Sequence, residues 1–237
     1  MTFFNRNFKA AWWSLLLTLV GVTLFVGLGL WQLQRADLKQ GIEEKFAARL
    51  AEDYQRFDVD DASADIEYKK LIIKGRFDNN HHLLIDNKIN GGKPGYQVLT
   101  PFLLVDSDRI MLVNRGWVAL GESRQVLPEI VSALQSDQVY GIASLPDTDG
   151  YRLGKVSLVD NWPQVIPYID MPALQAQFSE QLLPVVLWMS PEQPDSYHRA
   201  WDPVWSDPEK SRAYAVQWFS FAFIACVLFV LLNLRKK

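Results

Sequence analysis

Two stretches without a single charged residue constrain this chain more than anything else in it: residues 10–34 and residues 213–234. At about 1.5 Å per helical residue, each is long enough to cross a hydrocarbon layer of roughly 30 Å. Trp12 and Trp13 stand at one end of the first stretch and Trp31 at the other. In a helix they lie about 27 Å apart, the spacing of two interfacial aromatic belts. Tyr214 and Trp218 mark the entrance of the second stretch, and Arg235, Lys236 and Lys237 follow it. Both are therefore predicted to be transmembrane helices. The first exceeds the roughly 7–15 apolar residues of a signal-peptide core, and the Trp-Gln-Leu-Gln at 31–34 is no small-residue cleavage site. The nine residues before it are too few for a mitochondrial transit peptide, which favours a bacterial inner (plasma) membrane.

The mean hydropathy of −0.04 is an average over two unlike populations. The tails hold Arg6, Lys9, Arg235, Lys236 and Lys237 and no acidic residue. Residues 35–212 keep the other 19 of the 24 Lys and Arg against all 27 Asp and Glu, a net charge of −8. Two spans put both tails on one side, and the positive-inside tendency makes that side the cytoplasm and the central region periplasmic. Arg35, Lys39, Lys45 and Arg49 follow the first span on the far side, but long loops translocate largely regardless of charge. With 49% hydrophobic residues and an overall charge of −3, the chain is neither disordered nor suited to nucleic acid.

The central region is long enough to bury a core of its own. Residues 36–54 read as a polar helix leaving the membrane, with Ile42, Phe46 and Leu50 on one stripe. After an acidic break at 58–65 the period changes to two, with Leu71, Ile73, Gly75 and Phe77 on one face of a strand. Residues 90–95, Asn-Gly-Gly-Lys-Pro-Gly, form the strongest turn signal in the chain. Strands are expected at 96–105 and 110–118 around a turn at 106–108, then at 138–145, 156–159, 165–169 and 185–189. A short helix is expected at 170–178, with Asp170 as N-cap and Pro172 in the first turn. The expected fold is an α+β membrane protein. Tails at 1–9 and 235–237 and transmembrane helices at 10–34 and 213–234 enclose an extracytoplasmic domain at 35–212, mostly antiparallel β, a barrel or a sandwich.

Catalytic signatures are missing: no Gly-rich phosphate loop ending in Lys-Ser or Lys-Thr, no Gly-x-Ser-x-Gly, no His-Glu-x-x-His. His81 and His82 point to opposite sides if they lie in a strand, and His198 is distant in sequence, so no metal site is expected. The single cysteine, Cys226, falls inside the second span and reads as a small packing residue. Gly21 and Gly29, eight apart with Phe25 between them, would suit a close-packed helix face. Trp31, Arg35 and Lys39 fall on one helical face at i, i+4 and i+8. Local chemistry favours an aromatic anchor with snorkelling cations there, over a site for an amphipathic anion such as a haem with its propionates. In 113–118, Val-Asn-Arg-Gly-Trp-Val, alternation puts Asn114, Gly116 and Val118 on one side and Arg115 and Trp117 on the other. Gly116 reads as a bulge or close approach, and Arg115 with Trp117 as core or as a contact surface.

In chain order these segments resemble the Surfeit-locus (Surf-one-like) family of cytochrome c oxidase assembly factors. The resemblance rests on Trp31-Gln32 with Arg35 and Lys39, Pro94-Gly95-Tyr96 before a strand ending near Thr100-Pro101, Asn114-Arg115-Gly116-Trp117-Val118 with Gly121 and Arg124 behind, and Tyr214-Ala215-Val216-Gln217-Trp218. It implies a non-enzymatic, multi-pass membrane protein that assists biogenesis of a haem-copper oxidase as haem a enters the catalytic subunit. The implied partners are membrane lipid, that subunit and haem-synthesis enzymes. Some members of the family are described as binding haem a through a His just before the second span. Ser211 stands at that position, and a hydroxyl is no stable haem ligand. His198, thirteen residues upstream, replaces it only if 201–208 folds back. The alternative is a haem-independent structural interaction protein of the respiratory membrane.

Overall fold

The computed structural model describes residues 6–8, 10–59, 64–105, 107–121, 123–133, 136–146, 156, 158, 161–178, 181–194, 197–202 and 207–236. The chain divides into two compact units: a helical unit of Met1–Lys45 with Asp202–Lys237, and a head of Phe46–Trp201.

The first uncharged run becomes helix α1, Trp12–Leu50, which continues well past its last apolar turn because no Gly-Pro or capping signal interrupts it. The second becomes a helix at Pro208–Asn233 (α3), capped by Asp207, whose carboxylate accepts from Glu209 N at 2.7 Å, with Pro208 in the first turn. Within the helical unit the two pack through small residues: Ala36 and Ala215 are fully buried, and a Cβ on Gly29 would meet the Phe219 ring at 2.6 Å. Phe25 stacks on Trp218 at 5.9 Å and also touches Phe221. Gly21 has open space around it, so the expected small-residue face is carried by Gly29 and not by Gly21. Beyond the helices, strand β1 (Arg6–Phe8) pairs antiparallel with a strand at Leu234–Lys236 (β10), Arg6 opposite Lys236. Lys9 and Lys237 lie outside the described residues.

The head is built on β2 (Gln55–Arg56), β3 (Lys70–Phe77), β4 (Leu83–Asn90), β5 (Lys93–Leu104), β6 (Ile110–Ala119), β7 (Gln138–Ser144), β8 (Gln164–Ile166) and β9 (Leu182–Met189), with helix α2 at Met171–Gln177. Strands β3, β7, β9, β6 and β5 pair in that order, and β3 closes on β5 through Gly75–Phe77, so five strands form a barrel rather than a sandwich. Among the described residues the head is mostly antiparallel, as expected, with five antiparallel pairings, and is mixed through three parallel ones: β2 with β3, β4 with β8 and β6 with β9. The β6–β9 pair is parallel because the long connection before β9 crosses over and returns the chain between β6 and β7.

The period-two pattern of β3 is borne out, with Leu71, Ile73, Gly75 and Phe77 buried. Leu71, Ile73, Phe77, Phe102, Met111, Val113, Val139 and Leu187 fill the barrel interior. A second core, including Leu83, Leu99, Leu112, Ile166 and Val186, packs under Leu174 of α2. Asp170 caps that helix as expected, accepting from Ala173 N at 3.3 Å.

The turn at 90–95 narrows to Gly91-Gly92, both at positive φ, in a two-residue hairpin between β4 and β5; Lys93, Pro94 and Gly95 already belong to the strand. Sequence periodicity missed β4, because Leu83, Leu84 and Ile85 are buried on both faces and show no alternation. The helical stripe also differs from expectation. Phe46 packs edge-on against Tyr68 at 5.2 Å, while Ile42 and Leu50 are exposed. The expected strand at 156–159 falls largely outside the described residues; Val156 and Leu158 lie in no strand and pack against the second core. Asp106 of the expected turn, and 60–63 of the acidic break, also fall outside.

Aromatic rings line one flank of the head. Phe46 meets Tyr68, Tyr68 meets Trp188 at 6.4 Å, and Trp188 stacks on Trp201 at 5.5 Å, so the first and last residues of the head are joined through four rings.

Candidate functional site

In the helical unit the residues singled out by sequence gather where α1 has lost its apolar character. Arg35 lies over the Trp31 ring at 4.9 Å, one helical turn apart, and both side chains are exposed. Lys39 Nζ donates to Ser211 Oγ at 3.0 Å, and Ser211 is buried. Arg212, the next residue, bonds Gln40 and pairs with Glu209. Gln32 is half-buried, Tyr214 is exposed and Trp218 is half-buried against Phe25. Trp31, Arg35 and Lys39 thus share a face, but Lys39 is engaged in joining α1 to α3. Gln40 and Arg212 were not legible, because their contact spans 172 residues.

In the head, two motifs that are separate in sequence are cross-strand neighbours. Tyr96 is opposite Val118, Gln97 opposite Trp117 and Val98 opposite Gly116. Pairing then slips by one residue, with Leu99 opposite Asn114, so Arg115 is the extra residue of a β-bulge. The slip overturns the expected alternation. Asn114 shares the Leu99 and Gln97 face with Trp117, while Gly116 and Val118 lie on the Val98 and Tyr96 face. Gly116 has φ +122°, and a Cβ there would meet His198 O at 2.7 Å. A Cβ on Gly95 would meet the Trp117 ring at 2.5 Å, which explains glycine at that position beside the exposed Pro94.

The bulge buries unusual chemistry. Arg115 is fully buried, with its guanidinium 4.8 Å from the Tyr197 ring centre. Asn114 Oδ1 accepts from Gly116 N at 3.1 Å, and Trp117 Nε1 donates to Lys88 O at 2.9 Å. His82 Nδ1 sits 3.0 Å from Thr100 Oγ1, both buried. Burial first, and then the positive field of Arg115, push the His82 imidazole down to about 4. His198 is tied by backbone to Trp117: Trp117 N donates to His198 O at 2.8 Å and His198 N to Trp117 O at 3.2 Å. Its side chain is exposed. Arg115 is therefore part of the packing and not of an outer surface. His82, Thr100 and Tyr197 escaped sequence reading because nothing local marks them as neighbours of Arg115.

Among the described residues there is no group of three or more His, Cys, Asp or Glu able to hold a metal. These features define a class: a small barrel head on a chain with two long apolar helices, whose distinctive polar groups lock structure. The chain belongs to the SURF1 family, whose model matches residues 19–223. A SURF1-like protein of Monosiga brevicollis is 25% identical over 240 residues, covering 95% of this chain and 88% of its own length. The cytochrome oxidase assembly protein SHY1 of Saccharomyces cerevisiae is 28% identical over 95 residues, 39% of this chain and 24% of its own length. A SURF1-like protein of Rickettsia felis is 30% identical over 104 residues, 43% of this chain and 45% of its own length.

Proposed function

We propose that this chain is a membrane assembly factor for a haem-copper cytochrome c oxidase, stabilising the catalytic subunit by protein contact during its biogenesis. The observation that carries the reading is the family match at 19–223, which begins inside α1 and ends inside α3. The role printed in the name of the yeast relative supplies the process.

Membrane insertion is supported by apolar side chains that the protein itself leaves uncovered: Leu17 is 67% exposed, Phe223 70% and Leu232 77%. Continuous apolar surface on this scale calls for lipid or a partner helix. The β1–β10 pairing supports both tails on one side of the bilayer, and their basic residues support the cytoplasm. The head is then periplasmic, in a bacterial inner membrane. No nucleotide, metal or covalent chemistry enters the reading.

Haem a would bring an iron of the kind held by His, Cys, Met or Tyr side chains. The residue at the position where the resemblance implies a histidine does not fit it. Ser211 occupies the position of the family histidine and its Oγ accepts a hydrogen bond from Lys39. The reading is therefore haem-independent, with Trp31 and Arg35 as contacts for the oxidase subunit or for a haem-synthesis enzyme. The test is a deletion strain complemented by this chain or by Trp31→Ala or Arg35→Ala. Oxidase subunit levels should fall in the deletion, recover with the parent chain and recover poorly with the variants; normal oxidase in the deletion would overturn the assignment. Affinity-purified chain should carry oxidase subunits without a Soret band, and a stoichiometric Soret band would overturn the haem-independent part alone.

A further inference from the structure

In the head, a cavity of about 300 Å³ is lined by Asp78, His81, Trp162, Gln177, Phe178 and Gln181. We propose that it binds a hydroxylated aromatic ring, a phenol, with His81 as the acceptor of its hydroxyl. The proposal does not depend on the oxidase assignment.

The imidazole is held by a neighbouring carboxylate. Asp78 ends β3, its own N–H donating to Pro101 O at 2.9 Å and its Oδ1 accepting from Asn80 N at 3.0 Å. Its other oxygen, Oδ2, pairs with His81 Nδ1. In the neutral ring a carboxylate at Nδ1 selects the tautomer with the proton there, which leaves the lone pair on Nε2 as an acceptor. Nε2 has no hydrogen-bond partner among the described residues, and the His81 side chain is 40% exposed. The walls are aromatic: Trp162 stands edge-on to His81 at 4.8 Å, and Phe178 lies 6.0 Å from Trp162.

An oriented acceptor beside two rings selects a ligand that donates a hydrogen bond from an apolar, aromatic body. A phenol does both. Toluene leaves Nε2 unmatched, an anion meets Asp78, and a metal finds a single imidazole with no group of three ligating side chains among the described residues. The volume is at the lower end of the roughly 300–1,000 Å³ usual for ligand sites, enough for one ring with a short substituent. Gln181 at the rim offers an amide to what the ring is attached to. The same chemistry comes from a free phenol or from the tyrosine of a partner.

The test uses the full chain in detergent, labelled with 15N-histidine and titrated with p-cresol, toluene and N-acetyl-tyrosinamide. p-Cresol should bind saturably with a Kd on the order of 1 mM, move the His81 Nε2 resonance, and bind about tenfold more tightly than toluene. His81→Phe, which keeps a ring against Trp162, should abolish that selectivity. Asp78→Asn, which keeps an oxygen for Asn80, should lower p-cresol affinity and leave toluene binding unchanged. Tighter binding of the tyrosine amide than of p-cresol assigns the ring to a protein, and equal binding to a free phenol. Failure of both to move the His81 resonance, or equal binding of p-cresol and toluene to the parent chain, would overturn the proposal.

Discussion

His82, Thr100 and Arg115 share a water-poor region of the head, and the neighbouring guanidinium adds to desolvation in keeping the imidazole neutral. The unfolded chain takes up a proton below about pH 6.5, which the folded head refuses until about 4. The stability linked to His82 is thus complete above pH 6.5 and is lost as the pH falls from there to 4, by up to roughly 3 kcal/mol. Denaturation of the parent chain and of His82→Gln across that range should show it, the variant lacking this component. The difference between the curves separates His82 from carboxylates such as Asp65, which Lys69 and then Arg49 hold below the usual range. At Gly116, alanine would force a positive φ on a residue with a Cβ and drive it into the His198 carbonyl. Gly116→Ala should destabilise the head by about 2–4 kcal/mol in denaturant titrations.

Among elements, α1 and α3 were readable because an uncharged run of their length has few other uses, and β3 because alternation survives wherever one face is core. The hairpin at Gly91-Gly92 was readable from local turn chemistry. What escaped was what depends on partners. β4 is buried on both faces at its start and so reads as a plain apolar run. Barrel closure rests on three residue pairs between β3 and β5, and the bulge at Arg115 shifts every face after it. The site divides in the same way. Trp31, Arg35 and Lys39 could be placed on one face by spacing, whereas the Lys39–Ser211 bond joins residues 172 apart. Gly21 and Gly29 of α1 give a test at this scale. In a Cys226→Ser background, cross-linking of Ser14→Cys with Asn233→Cys should drop in Gly29→Ile, whose side chain would collide with Phe219. It should persist in Gly21→Ile, where space is open.

For the whole molecule, the decisive property is sidedness. With Cys226 replaced by serine, Glu192→Cys in the exposed turn after β9 should react with a membrane-impermeant maleimide in intact spheroplasts. Phe8→Cys, on the tail strand, should react only after lysis. The opposite pattern would invert the orientation while leaving the fold untouched.

The position of β9 between β6 and β7 has a consequence for how the protein is made. A ribosome releases the chain vectorially, so β3, β5, β6 and β7 wait for a stave that is inserted among them late, not added at a rim. The ring can complete once residue 189 has emerged, before α3 has left the ribosome. The helical unit then awaits residues 208–236, since both the seam between the long helices and the pairing of β1 with β10 depend on a segment synthesised after the barrel. A stop codon ahead of residue 208 should therefore spare the barrel and leave α1 with no second helix to zip against.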